Sequence, residues 1–264
     1  MIPPTDSVMN LTALPAFSDN YIWMLDDGKR AIVVDPGESG PVVEALDARG
    51  LELAAILVTH HHADHVGGVD ALRSRLTGPV FGPAHEIVPQ PCVGLDEGQT
   101  CEALGLTFEV LNVPAHTAGH IAFFNREGAG EPIVFCGDTL FSAGCGKLFE
   151  GTAAQMFAAM TKLGALPGST RVCCGHEYTL SNLKFAQVVE PANGDVARHF
   201  EACKALRADG RPTLPSAIER ERRINPFMRC AEPAVIEAAR AHGARGDSGS
   251  DVLAALRTWK NEFR

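Results

Sequence analysis

Short apolar runs alternate with segments of helical spacing through the first part of the chain. "NYIWMLDD" and "RAIVVDPG" are rich in β-branched and aromatic residues, and Pro36-Gly37 stops the second run, so both predict strands. "GPVVEALDARG" has the apolar spacing of a helix and ends at Gly50, a residue type that favours the position after a helix. "LELAAILVTH" predicts another strand, and "VGGVDALRSRL" predicts a helix after it.

The same alternation continues and then stops near residue 180. Three more apolar strands are predicted at "LTFEVLNVPAH", "EPIVFCGDTLF" and "TRVCCGHEYT", with a helix at "AAQMFAAMTKLGAL" before the last. Beyond that point "LKFAQVVE", "GDVARHFEACKALRADG" and "AVIEAARAHG" show helical spacing, and β-branched clusters disappear. We therefore predict an α/β domain over residues 1–180 and a smaller helical domain over residues 181–264.

The composition is that of an ordinary globular protein with an acidic balance. The chain has 264 residues, of which 45% are hydrophobic and 21% charged, with a formal net charge of -9. Phosphate-binding surfaces need accumulated Lys and Arg, so the charge argues against nucleic acid or an anionic membrane as a partner. It does not argue against a small anionic substrate, because a local group of cations can hold one.

Cysteine usage and the chain's start predict the compartment. The eight cysteines form no CxxC pair, and several lie in apolar segments such as "RVCCGH", which is typical of reduced cytosolic thiols. "MIPPTDSVMNLTALPAF" lacks the basic and apolar regions of a signal peptide, and no apolar run approaches the ~18 residues of a transmembrane helix. We expect a cytoplasmic monomer with a small-molecule substrate.

Potential metal ligands follow the ends of four predicted strands. Because strand ends that meet along one edge of a sheet form a rigid rim, we expect these side chains to lie close together. They are His60, His62, Asp64 and His65 after "AAILVT", His116 after "FEVLNVPA", Asp138 after "PIVFCG" and His176 after "RVCCG".

This ligand set predicts two divalent metal ions. Imidazole and carboxylate ligands without thiolate suit zinc, iron or manganese, and we favour zinc. We expect Asp138, with two oxygens, to bridge the ions, so that Asp64 and Asp138 serve catalysis through the metals. Two ions at ~3.5–4 Å with a shared water generate hydroxide at neutral pH. One ion is predicted on His60, His62 and His116, and the other on Asp64, His65 and His176.

Other polar residues are weighed against a purely structural role. A single His at a strand end is ordinarily a satisfied polar residue, whereas HxHxDH as a unit is a strong metal signal. We expect His61 to face away from its neighbours, and His120 to support a ligand rather than bind metal. Asp35 either caps the turn before Pro36 or orients a metal-bound imidazole. The isolated histidines His85, His199 and His242 are predicted to be structural.

"THHHADH" resembles the THxHxDH signature of the metallo-β-lactamase superfamily. More narrowly, the chain is similar to the glyoxalase II (hydroxyacylglutathione hydrolase) family almost from end to end. The segments that carry the similarity are "SDNYIW", "VVDPG", "LVTHHHADHVGG", "PAHTAGHI", "FCGDTLFSAGCGKLFEGT", "CGHEYTLSNLKFA", "LPSAIERERRINPFMR" and "RTWKNEF".

The resemblance implies an αβ/βα four-layer sandwich followed by a helical domain that binds glutathione. It implies glutathione contacts at Lys147, Tyr178, Arg257 and Lys260, and Phe149 stands where some members carry a tyrosine, so one hydroxyl contact is absent or replaced. Spacing alone predicts only a solvated face of a terminal helix for Arg257 and Lys260. Lys147 has independent support, because a glycine-rich turn lets a ligand approach.

The expected reaction is hydrolysis of S-D-lactoylglutathione or another S-(2-hydroxyacyl)glutathione by a metal-bound hydroxide. The alternatives are a β-lactamase or lactonase, a glutathione persulfide dioxygenase with one iron, and an RNA-processing nuclease, against which the net charge counts. A structural or storage metal site is disfavoured, because structural sites fill every coordination position with protein ligands. Counting metals separates the hydrolase, with about two per chain, from the dioxygenase, with about one.

Overall fold

The computed structural model describes residues 9–127 and 130–263. The chain divides into two compact units, the first from Met1–Asn112 and Ile121–Gly137 and the second from Val113–His120 and Asp138–Arg264. We call them unit 1 and unit 2. The domain boundary predicted at residue 180 is not the boundary between these two units, and it stays a prediction. Among the described residues no helix has the length and apolar character needed to cross a bilayer.

Unit 1 begins with a mixed six-stranded sheet in which the strands follow chain order. The pairs β1–β2 and β2–β3 are antiparallel, and β3–β4, β4–β5 and β5–β6 are parallel. Helix α1 connects β3 to β4, as a parallel crossover requires. Strands β1 to β6 are Asn10–Ala16, Asn20–Asp26, Arg30–Val34, Glu52–Leu57, Val80–Pro83 and Val93–Leu95.

The other strands of unit 1 form an antiparallel arrangement in the order β7, β8, β9, β10. They are Thr100–Ala103, Leu106–Asn112, Ile121–Asn125 and Ile133–Gly137. Strands β9 and β10 are buried along their whole length, as their continuous apolar sequences lead one to expect. The strands predicted at "LTFEVLNVPAH" and "EPIVFCGDTLF" are confirmed.

The helices of unit 1 are α1 (Gly40–Arg49), α2 (Ala63–Val66) and α3 (Val69–Leu72), with a 3-10 turn at Arg73–Arg75. Gly50 ends α1 in the left-handed conformation at φ 63°, as predicted. The single helix predicted over "VGGVDALRSRL" is wrong. A Cβ on Gly67 would lie 2.6 Å from the Gly37 carbonyl oxygen, so this glycine and the next let two backbones approach and interrupt the helix.

Unit 2 is mainly helical. Its helices α4 to α9 are Ala153–Gly164, Thr179–Val189, Gly194–Ala208, Ile218–Ile224, Pro233–Ala241 and Gly249–Glu262. Its strands β11 to β14 are Leu140–Phe141, Gly144–Cys145, Arg171–Cys174 and Ser216–Ala217. Thr152 and Gln155 form a capping box at the start of α4, and Asn193 caps α6. The helices predicted beyond residue 180 are confirmed.

One face of the first sheet packs against α1 and α3. Leu46 of α1 and Leu72 of α3 belong to a buried cluster that also contains Ile22, Val33 and Ile56 of the sheet. This cluster fixes the ends of β3 and β4, from which the candidate ligands of unit 1 follow.

We predict that Leu46→Ala lowers the free energy of unfolding by about 2–5 kcal/mol, because it opens a cavity in this cluster. Leu46 is 2% exposed. Glu44→Ala, on the exposed side of the same helix, is the control and changes stability by about 0.5 kcal/mol or less. Urea unfolding followed by circular dichroism measures both, and equal stabilities would contradict the packing described.

Candidate metal centre

His60 and His62 lie in the extended segment between β4 and α2. Their facing nitrogens, His60 Nε2 and His62 Nδ1, are 3.1 Å apart. The other nitrogen of His60, Nδ1, lies 3.0 Å from the hydroxyl oxygen of Thr59. His60 is completely buried. The structure therefore brings these two predicted ligands together, with one nitrogen of each directed to a common point.

Asp64 and His65 lie in α2, the short helix that follows. The Nε2 atom of His65 is 3.6 Å from Asp64 Oδ2, and its Nδ1 atom is 3.1 Å from Asp35 Oδ2. Asp35 also accepts hydrogen bonds from the amide and the hydroxyl of Thr59, both at 2.7 Å. The Asp35 carboxylate thus orients the His65 ring, one of the two expected roles, whereas the turn is closed by the Asp35 backbone carbonyl, which accepts the Gly37 N–H at 2.9 Å.

Asn20 is a contact of Asp64 that the sequence reasoning did not find. Its Nδ2 atom donates a hydrogen bond of 3.0 Å to Asp64 Oδ2, and the side chain is 7% exposed. Asn20 opens β2 within "SDNYIW". The only signal for it was the similarity of that segment to the glyoxalase II family, because an asparagine at the start of a strand has no distinctive pattern.

Unit 2 gathers the other three predicted ligands around one carboxylate oxygen. Asp138 Oδ2 lies 3.4 Å from His116 Nε2 and 3.2 Å from His176 Nε2. His116 Nδ1 lies 3.0 Å from the carbonyl oxygen of Lys147, which can accept its proton. His120 Nε2 accepts the backbone N–H of Asp138 at 3.1 Å, so His120 supports a candidate ligand, as expected.

The donor set of each unit fits a divalent metal ion. Two imidazole nitrogens face each other at 3.1 Å, and imidazole nitrogens face carboxylate oxygens at 3.2 to 3.6 Å, distances at which a cation can bind between them. These atom types suit zinc, iron and manganese. Three of the imidazoles have their other ring nitrogen at hydrogen-bond distance from an oxygen atom, which is the usual support for a metal-bound imidazole. They are those of His60, His65 and His116.

Three candidate substrate contacts of unit 2 are partly or largely exposed. Lys147 follows Gly146 and is exposed, and Phe149 is 62% exposed with its ring 5.2 Å from that of His116. The ring of Tyr178 stacks on His176, with centroids 4.7 Å apart and planes 3° from parallel. Aromatic surface therefore lies directly beside the candidate ligands of this unit.

Arg257 and Lys260 lie in α9, and the interpretation of Arg257 as part of a solvated face is wrong. Arg257 is 7% exposed, and its guanidinium donates a 2.8 Å hydrogen bond to the Cys145 carbonyl. Lys260 Nζ lies 3.0 Å from the carbonyl oxygen of Ser181. Burial, followed by the charge of Arg257, lowers the pKa of Lys260 to about 8.

The remaining histidines make structural contacts. His61 Nδ1 lies 2.9 Å from Glu86 Oε2, and His85 Nε2 lies 2.9 Å from Asp96 Oδ2. His242 stacks on Trp259. The eight cysteines are free thiols, and burial raises the pKa of several of them, Cys145 for example to about 11.

The sequence resembles two established families in succession. Residues 16–176 match the metallo-beta-lactamase superfamily, and residues 177–263 match the family described as hydroxyacylglutathione hydrolase C-terminus. A protein of Albidiferax ferrireducens named hydroxyacylglutathione hydrolase is 55% identical over 255 residues, or 97% of this chain and 100% of the relative. The chain belongs to the hydroxyacylglutathione hydrolase family. The metallo-β-lactamase fold and the α/β class predicted from the sequence are confirmed.

Solved structures agree on the fold. ETHE1 from Myxococcus xanthus has a TM-score of 0.62 at 23% identity, covering 97% of this chain and 100% of that one. TTHA1623, solved in a di-iron-bound form, has a TM-score of 0.52 at 32% identity, covering 63% of this chain and 91% of that one. Members of the hydroxyacylglutathione hydrolase family are metal-dependent hydrolases, and the His and Asp groups described above are the candidate metal ligands of this member.

We predict that Asp35→Asn weakens metal binding by about 10–100-fold, because an amide cannot accept from both Thr59 and His65 as the carboxylate does. Asn keeps the shape and tolerates the positive φ of 53° at this position. The measurement is metal retained after dialysis against graded chelator. Asp70→Asn, at a side chain that is 73% exposed, is the control. Equal retention by both variants would mean that the Asp35 carboxylate does not support metal binding.

Proposed function

We propose that this chain hydrolyses the thioester bond of S-(2-hydroxyacyl)glutathione, with S-D-lactoylglutathione as the expected substrate, to glutathione and the 2-hydroxy acid. The observation that carries this proposal is similarity over the full length to proteins named hydroxyacylglutathione hydrolase. It includes the C-terminal segment as well as the superfamily signature. The function thus follows from more than the fold, which many chemistries share.

We further propose two divalent ions per chain, with zinc favoured and iron or manganese also suited. His60, His62 and His116 bind one ion, Asp64, His65 and His176 bind the other, and Asp138 is a ligand of both. The donor types and the di-iron-bound form of TTHA1623 support this assignment. When bound, such ions lower the pKa of water and polarise a carbonyl group.

The side chains around the ligands prepare them for this chemistry. Asp35 and the Lys147 carbonyl each lie at hydrogen-bond distance from a histidine Nδ1, which orients the rings so that the Nε2 atoms of His65 and His116 are the ones available to a metal ion. Asn20 fixes the Asp64 carboxylate. The leaving thiol has a pKa near ~8.5, so it departs as thiolate without a strong general acid. A metal-activated water would be the nucleophile, so the proposed mechanism needs no Ser or Cys nucleophile.

Glutathione carries two carboxylates, which cationic side chains bind well. We assign its contacts to Lys147, Tyr178, Arg257 and Lys260 in unit 2. Phe149 supplies a ring and no hydroxyl, so the contact there is apolar. The matching of residues 177–263 to the family's C-terminal segment supports a role for this part of the chain in substrate binding.

The competing functions lack comparable support. A β-lactamase, a lactonase or a persulfide dioxygenase would share the fold, but the relatives with about half of their residues identical are named hydroxyacylglutathione hydrolase. We also propose that the protein is cytoplasmic, which the free thiols favour, and that it is a monomer. Size-exclusion chromatography with light scattering tests the monomer.

The purified protein, loaded with zinc, is expected to hydrolyse S-D-lactoylglutathione and to contain about two metal ions per chain. Asp138→Ala should abolish hydrolysis and reduce the metal content, because one carboxylate serves both ions. Thioester absorbance and metal analysis of the same preparation measure the two quantities. Asp195→Ala, in an exposed ion pair with Arg198, is the control. A fully loaded protein without thioesterase activity would overturn the proposal.

Lys260 gives a pH dependence to substrate binding. Its pKa of about 8 means that the ammonium, which attracts a glutathione carboxylate, is present below pH 8 and is lost as the pH rises through that value. We expect KM to rise above pH 8 in the wild type. In Lys260→Arg, whose side chain stays charged, that rise should be absent. The same KM profile in both proteins would exclude the assigned contact.

A further inference from the structure

Glu221 of α7 is fully buried, and both oxygens of its carboxylate accept hydrogen bonds. Oε1 accepts from the hydroxyls of Ser142, at 3.0 Å, and Ser216. Oε2 accepts from the backbone N–H of Ala143 at 2.7 Å and from Asn225 Nδ2 at 3.1 Å. Burial raises the pKa of Glu221, and these hydrogen bonds oppose that rise. Four donors around one buried carboxylate are a built arrangement, since an unsatisfied group there would be costly.

These hydrogen bonds hold a tight turn in a conformation that is unfavourable for its residues. Ala143 lies between β11 and β12 with φ at 55°, a left-handed value that alanine rarely adopts. The Asn225 amide donates to the carbonyl oxygens on both sides of the turn, Phe141 at 3.1 Å and Gly144 at 2.9 Å. Glu221 of α7 and Asn225, the residue that ends this helix, thus bind the donors and acceptors of the turn. We call this pair of side chains the Glu221 socket.

The two arms of this hairpin carry residues of the candidate site. Asp138 lies just before β11, and Lys147 lies just after β12. The arms are joined near their ends by the Gly146 N–H, which donates to the Thr139 carbonyl at 3.1 Å. A Cβ on Gly146 would overlap the Asp138 carbonyl oxygen and come within 3.1 Å of His116 Nδ1. The contact is so close that a small shift of either strand of the hairpin alters the distances between Gly146, the Asp138 carbonyl oxygen and His116.

We propose that Glu221 is a positioning residue that acts through the Ser142–Ala143 turn on Asp138 and Lys147. It touches neither the candidate ligands nor the predicted substrate contacts, so its effect passes along the hairpin. The inference rests on the proposed function, in which Asp138 binds metal and Lys147 binds glutathione. Because hydrogen bonding rather than charge carries the role, a side chain that keeps the bonds should suffice.

The variants follow from this geometry. Glu221→Met has similar length and no acceptors, so the Ala143 N–H loses its partner and the turn shifts. Glu221→Gln keeps an acceptor for the two N–H donors and turns its amide to the serine hydroxyls, which can accept. Glu219→Met, in the same helix at a side chain that is 65% exposed, is the matched control.

For Glu221→Met we expect kcat/KM to fall by about tenfold or more and metal to be lost at about tenfold lower chelator concentration. Glu221→Gln and Glu219→Met should stay within about threefold of the wild type. Added to Lys147→Ala, Glu221→Met should raise KM by less than about threefold, because residues that act through one another are not additive. Independent actions of the two residues would instead multiply the two KM effects, and a general loss of folded protein would lower the apparent kcat without changing KM.

An inactive wild type would refute the proposed function. If the wild type is active, two results would refute the positioning role alone. One is a Glu221→Met variant with wild-type metal retention and KM. The other is a double variant of Glu221→Met and Lys147→Ala in which the two KM effects multiply. If Glu221→Met does not fold, Ser142→Ala decides, since it removes one of the four hydrogen bonds. We expect it to reduce kcat/KM by about fivefold, and a reduction no larger than that of the Glu219→Met control would overturn the inference.

Discussion

The candidate metal centre depends on hydrogen bonds that hold one nitrogen of three buried imidazoles and leave the other for a metal. A buried His that can rotate or take up a second proton is a poor ligand, so the acceptor on its far side sets both its orientation and its tautomer. In this chain the acceptors come from three different sources. They are the Thr59 hydroxyl for His60, the Asp35 carboxylate for His65 and the Lys147 carbonyl for His116.

Unfavourable backbone conformations occur at or close to these groups. Asp35 has φ at 53°, Ala115 beside His116 has φ at 139°, and Ala143 of the hairpin has φ at 55°. Such values raise the energy of a non-glycine residue and persist only where surrounding contacts enforce them. The buried Glu221 socket is one such enforcing contact, and the three hydrogen bonds of Asp35 are another. Strain in each unit is thus compensated by buried polar contacts next to candidate ligands.

The sequence predicted most of the elements well, because these depend on local signals, whereas the metal-ligand roles stay predictions. Strand composition located β4, β8, β10 and β13, and the residue types after them indicated metal ligands. It could not predict contacts between distant segments. Asn20 meets Asp64 across 44 positions and Glu221 meets Ser142 across 79. The break at Gly67 depends in the same way on the approach of Gly37. The pairing of ligands with individual ions stays a prediction.

Arg257 and Lys260 show how an acidic protein can keep positive charge available for an anion. In the described part of the chain neither forms an ion pair with a carboxylate, although the protein has 32 acidic residues. Their contacts are neutral oxygens, the Cys145 carbonyl for Arg257 and the Ser181 carbonyl and hydroxyl for Lys260. Neutral oxygens orient a cation without cancelling its charge, and the two charges raise each other's energy, which contributes to the lowered pKa of Lys260. A carboxylate bound beside the two cations would relieve that repulsion, so the arrangement suits the glutathione contact proposed for them.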